Sequence, residues 1–223
     1  MTAKKNDFQL DYIEFHEFVD GLVMVLEAKD RYTAGHSERV AHLALHLSQF
    51  MGFSEKKSQI VHIAGHLHDI GKIGIPDGIL LKTGQLSPEE YAVIQKHSEI
   101  GANIFVNIPH LSKMSDIIRY HHERYDGRGY PEGRQGDEIP IEAGIIAVAD
   151  SFDAMTTNRT YRAKMEISQA YHEIIRNSKK QFHPVVVDAL TRIYQEEPSF
   201  LENLFLENEN LHPRKMFVSY NSV

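Results

Sequence analysis

Polar side chains fall repeatedly on the apolar faces of helical patterns in this chain, and that conflict limits what it can fold into. Phe15, Phe18, Leu22, Val25 and Leu26 recur at spacings of three and four and mark a first amphipathic helix. After a break at residues 30–35, Val40, Leu43 and Leu47 mark a second, which Gly52 ends. Ser54 is placed to cap a third that runs through Ile60, Ile63, Ala64 and Leu67. His36 lies in register with Val40, Leu43 and Leu47, and His68 and Asp69 close the helix of Ala64 and Leu67. His97 lines up with Val93, Ile94, Gly101 and Ile104. His121 lines up with Met114, Ile117 and Ile118, with His122 beside it. Asp150 interrupts the apolar run of 141–155.

The remainder also reads as helix. Gly71, Gly74, Pro76, Gly78 and Gly84 make 71–86 a loop. Ser87-Pro88-Glu89-Glu90 is a capping box with proline at the first helical position, opening a helix towards Phe105. Another covers 112–122, and a glycine-rich loop follows from Asp126 to Pro140. Residues 141–155 are too long for a strand and read as a buried helix, and 166–180 and 184–206 give two more. The expected fold is all-α: a helix over 1–29 packing on a core domain over 30–206, then a polar tail over 207–223.

A hydrophobic content of 42% suits a real core. A net charge of -7 argues against a nucleic acid polymer as partner, which usually demands a basic stripe. The longest apolar run falls well short of the roughly 18 residues that span a bilayer, and the first residues lack a secretion leader. The expectation is a cytoplasmic protein with no membrane association; a homodimer is left open.

A lone buried histidine is usually satisfied by a backbone carbonyl. A buried aspartate costs several kcal/mol unless it is partnered. Five histidines and two aspartates pointing inward from separate helices are most simply reconciled at a shared cation. With no cysteine in the chain, imidazole and carboxylate suit iron, manganese, zinc or nickel. Seven such ligands exceed what one ion takes with room for water, so two ions are expected. Two ions about 3.5–4 Å apart clamp a phosphate and lower the pKa of a shared water towards about 7, which supplies hydroxide at neutral pH.

The same residues form a pattern. His36, His68-Asp69 and Asp150 resemble, in order, the signature of the HD metal-dependent phosphohydrolases. The stretches 68–72 (His-Asp-Ile-Gly-Lys), 121–127 (His-His-Glu-Arg-Tyr-Asp-Gly) and 129–131 (Gly-Tyr-Pro) resemble the HD-GYP family. The resemblance runs from about Asp30 to Val187. It implies an HD-GYP helical bundle, with 30–206 as the catalytic domain, hydrolysing the bacterial second messenger cyclic di-GMP to the linear dinucleotide or to GMP. It implies one ion on His36, His68, Asp69 and Asp150, and another on Asp69, His97, His121 and His122. Asp69 bridges the two, and the ions are iron or manganese, with zinc or nickel as alternatives. Some members hold a third ion through a glutamate four residues before the first ligand histidine. Tyr32 stands there, so two ions are expected, not three.

Further roles follow from the resemblance. Lys72 would face the scissile phosphate and stabilise developing charge. Asp153, one turn beyond Asp150, would orient a ligand or contact substrate. Arg159 and Arg162 would grip phosphate, since a guanidinium fork donates two hydrogen bonds. Tyr130 would touch substrate, or a signalling partner through the loop 129–131, and Gly127, Gly129 and Gly133 would allow unusual backbone angles there. His42 and His46 share a face with Arg39 and Gln49 and are assigned to solvent; His62 and His66 are assigned to polar lining or solvent. His183 stands where the family often has an aspartate that caps the next helix. Two alternatives stand beside cyclic di-GMP: another cyclic dinucleotide or phosphoester as substrate, and a non-catalytic module that binds metal or nucleotide and signals.

Overall fold

The computed structural model describes residues 12–30, 35–108, 111–158 and 164–206. Eleven α-helices occur among them, joined by short 3-10 segments, and no β-strand is present in the described residues, only isolated bridges. The helices are α1 (Tyr12–Lys29), α2 (His36–Phe50), α3 (Glu55–Leu67), α4 (Asp77–Leu80), α5 (Pro88–Gln95) and α6 (His97–Phe105). They continue as α7 (Ser112–Tyr120), α8 (Ile141–Thr156), α9 (Ile167–Arg176), α10 (Pro184–Glu196) and α11 (Pro198–Leu206). The all-α expectation holds.

The middle of the bundle is α2 against α3, with α8 closing over α2, α7 over α3, and α6 over α7. Val40, Leu43, Leu47, Leu67, Ile118, Ile145, Ile146 and Phe152 form its core and are almost fully buried. Every residue from Val61 to Leu67 is buried, because α1, α2, α7 and α8 pack around α3. That stretch of α3 has no solvent face on which to put histidines.

Several boundaries differ from the expected ones. The capping box forms as read: Glu90 N–H donates to Ser87 Oγ at 3.2 Å, and Ser87 N–H donates to Glu90 Oε2 at 2.7 Å. The helix it starts breaks at Lys96, so His97 begins α6 instead of lying inside one long helix. The loop 71–86 contains a 3-10 turn (Ile70–Gly74) and α4. Residues 184–206 divide into α10 and α11 at Pro198, which has no N–H to continue the ladder. In α1 the buried stripe is Val19, Val23 and Leu26, while Phe18 and Val25 are 59% and 56% exposed, so the expected face is rotated. His183 fills the capping role expected of aspartate, its Nδ1 accepting from Val185 N–H at 3.3 Å.

Candidate active site

Two clusters of ligating side chains share one carboxylate. Ligand atoms of His36, His68 and Asp69 lie within 4.8 Å of one another, as do those of Asp69, His97, His121 and His122. Asp150 joins the first, its Oδ1 lying 3.5 Å from His36 Nε2. The structure thus brings together all seven side chains expected at the metal centre. They come from the start of α2, the end of α3, the start of α6, the end of α7 and the middle of α8. Gly71 makes the meeting of Asp69 and His97 feasible: a Cβ there would stand 1.8 Å from the His97 carbonyl oxygen. Only glycine lets the 3-10 turn approach α6 so closely.

The rings are held in one orientation. The Nδ1 of His68, His97 and His121 donates to the carbonyl three residues earlier, on Gly65, Ile94 and Ile118, at 2.7, 2.8 and 2.6 Å. His36 Nδ1 donates to Asp153 Oδ2 at 2.6 Å. A neutral ring with its proton on Nδ1 offers a lone pair at Nε2. Yet His36 Nε2 faces His68 Nε2 at 3.3 Å, and His97 Nε2 faces His121 Nε2 at 3.4 Å. Lone pairs do not bond to each other; a cation drawn from both sides satisfies them. The donor set therefore fits transition-metal ions, with the outer hydrogen bonds that such ligands usually carry.

The charge balance agrees. Burial holds His97 and His121 below the ordinary imidazole range and brings His122 down to about 3, keeping the rings neutral. Burial pushes the Asp69 carboxyl up, but the Lys72 ammonium at 2.7 Å, together with His68, His97 and His36, outweighs it and leaves Asp69 well below the usual range. Burial pulls His36 down, and the hydrogen bond and charge of Asp153 reverse that.

Asp153 is 1% exposed. Its oxygens are taken by His36 Nδ1 and by the Arg39 guanidinium, the contacts expected of the ligand-orienting alternative. Arg39, which sequence reasoning placed on a solvent face, is the partner that was missed. Lys72 reaches Asp69 and, at 3.4 Å, Asp30. Arg159, Arg162 and Tyr32 lie outside the described residues.

The loop after α7 is anchored by Glu123, 3% exposed, whose Oε1 accepts from the N–H groups of Glu132 at 2.7 Å and Gly133 at 3.0 Å. The glutamate was visible in the motif, but nothing in the sequence showed that it buries itself against its own loop. Gly127 and Gly133 take φ of 75° and 72°, as expected. Gly129 is there for space instead, since a Cβ would stand 2.4 Å from Arg124 N. Tyr130 is thereby laid over His122, ring centroids 4.8 Å apart, as a wall beside the second cluster.

The histidines assigned to solvent are corrected. His46 stacks on Phe200 at 3.8 Å and meets Glu197 at 2.8 Å, because the separate helix α11 begins there and covers α2. The His42 ring lies 5.4 Å from that of His62 and is half-buried. His62 and His66, read as polar lining or solvent, are lining, buried against α1 with His16.

A family model described as an HD domain matches residues 22–186. A cyclic di-GMP phosphodiesterase of Thermotoga maritima is 43% identical over 193 residues, covering 85% of this chain and 52% of that protein. A 3'3'-cGAMP-specific phosphodiesterase 2 of Vibrio cholerae is 37% identical over 182 residues, covering 81% of this chain and 35% of that protein. The chain therefore spans about half or less of the length of these relatives. Among solved structures, a cyclic GMP-AMP specific phosphodiesterase of V. cholerae superposes with a TM-score of 0.66 at 21% identity, covering 84% of this chain and 50% of the other.

Proposed function

The chain belongs to the HD-GYP branch of the HD-domain family, and from that membership we propose that it is a two-metal phosphodiesterase hydrolysing cyclic di-GMP. The observation that carries the reading is the pair of facing Nε2 atoms on either side of Asp69, His36 with His68 and His97 with His121. Ions bound there would clamp the phosphodiester and make a nucleophilic water available near neutral pH. Iron or manganese suits these hard-to-borderline donors, with zinc and nickel compatible.

The chain's own residues do the rest. Asp69 stays ionised beside Lys72 and can serve both clusters through its two oxygens, which lie 3.9 Å from His36 Nε2 and 3.4 Å from His97 Nε2. Burial pulls the Lys72 ammonium down, and the charge and hydrogen bond of Asp69 with the charges of Asp30 and Asp150 more than restore it, so Lys72 remains a cation beside the position of the phosphate. There it balances the charge that develops as the P–O bond breaks. Asp153 and the three carbonyls fix ring orientation, so no reorganisation is needed on binding. Tyr130 bounds the site on the His122 side, and the family resemblance assigns further phosphate contacts to Arg159 and Arg162.

Anaerobic purification with metal analysis, followed by chromatography of cyclic di-GMP digests, tests the reading. Two ions per site and cleavage to the linear dinucleotide or GMP are expected. Metal-loaded protein that leaves cyclic di-GMP intact would refute it. The V. cholerae relative that acts on 3'3'-cGAMP favours a second substrate, so that dinucleotide belongs in the same panel.

A further inference from the structure

We propose that His16, His62 and His66 form a separate metal site, which takes one late first-row divalent ion of the zinc kind and fastens α1 to α3. One ligand atom from each lies within 4.8 Å of the others. Tetrahedral zinc with Zn–N bonds near 2.0–2.1 Å needs nitrogens about 3.4 Å apart, a small ring adjustment away. His62 and His66 are one helical turn apart on α3, and His16 faces them from α1.

Two observations point to a ligand. His62 and His66 are 6% and 3% exposed, and the Nε2 of each is buried with no hydrogen-bond partner. By contrast the Nε2 atoms of His68, His97 and His121, just as buried, each face another imidazole nitrogen across the centre at Asp69. Leaving buried nitrogens unsatisfied is costly, and native cores rarely do so. The second observation is the shell around them. The Tyr12 hydroxyl lies 2.8 Å from His62 Nδ1, and Asp20 Oδ2 lies 3.2 Å from His16 Nδ1. Such outer partners fix a ligating ring and direct its other nitrogen to the ion. Burial, with neighbouring histidines, brings His62 down to about 3, so its lone pair is free of a proton.

Charge is also supplied. Glu38 Oε1 is buried with no hydrogen-bond partner, His42 Nε2 standing 3.9 Å away, and the carboxyl is raised first by burial and then by the nearby Asp20 charge. A divalent cation beside Asp20 and Glu38 would relieve that crowding. Three imidazoles without sulfur select zinc, nickel, copper or cobalt over magnesium or calcium. Since α3 ends at His68 and Asp69, an ion here would brace the helix that presents the bridging carboxylate.

The test is zinc stoichiometry after equilibrium dialysis, compared between the unaltered chain and its His16→Gln and His66→Gln variants. Each variant is expected to lose one equivalent while keeping the ions around Asp69. The Asp69→Ala variant should retain one equivalent. Equal counts in the folded variants and the unaltered chain would overturn the proposal. Should both variants misfold, zinc titration of the unaltered chain followed by ring-nitrogen NMR decides the matter. A zinc-dependent shift at His62 supports the site, and none sinks it.

Discussion

Replacing Asp153 by asparagine tests whether this carboxylate orients a ligand or binds substrate. It is 1% exposed, with one oxygen 2.6 Å from His36 Nδ1 and the other on Arg39. Arg39 only donates, so the new amide must turn its carbonyl there and present its NH2 to His36. The ring then accepts at Nδ1 and carries its proton on Nε2, the atom that faces His68 at 3.3 Å. A protonated nitrogen cannot ligate. Losing such an outer partner typically weakens metal binding 10–100-fold, or about 1.4–2.8 kcal/mol. Calorimetric titration with manganese should show that loss, while KM for cyclic di-GMP at saturating metal stays within about twofold. Unchanged metal affinity with a raised KM would refute the argument and return Asp153 to the substrate.

Two further outcomes follow from the same packing. Metal-stripped protein should lose stability as pH falls from about 6.5 towards 3, because burial depresses His42, His62, His97, His121 and His122 in the folded state. A depressed folded value gives stability that is present above the unfolded pKa and lost as pH falls. His36 alone among these is raised; its contribution is present below about 6.5 and lost as pH rises, too little to reverse the sum. Urea midpoints that do not change between about pH 7.5 and 5 would contradict this. Gly71→Ala should cost about 3 kcal/mol. The added Cβ meets backbone, the His97 carbonyl and Gly101 N, with no flexible side chain to yield. A denaturation midpoint within error of the unaltered protein would show that the turn relaxes freely.

The seven clustered side chains of the candidate site were legible because each is a polar group on an apolar face, and because their order matches a family pattern. What escaped reading depends on which helices cover which. His16 was passed over because the burial stripe of α1 is Val19, Val23 and Leu26, one step round from the stripe that Phe18 and Val25 suggest. For His62 and His66 the choice between polar lining and solvent stayed open because residues 61–67 of α3 are enclosed on every side, and a stretch with no wet face gives no phase. The Arg39–Asp153 pair spans 114 positions, and no local pattern encodes a contact at that range. His46 looked solvated until α11 folded back over it.

Three rings in the centre bond the carbonyl three places earlier in the chain, on Gly65, Ile94 and Ile118. Those oxygens belong to final helical turns, where carbonyls run out of regular helical N–H partners. One bond therefore ends a helix and aims a donor atom. Trimming or extending α3, α5 or α7 at that end would swing an imidazole away, so the lengths of these helices are tied to the bore of the site.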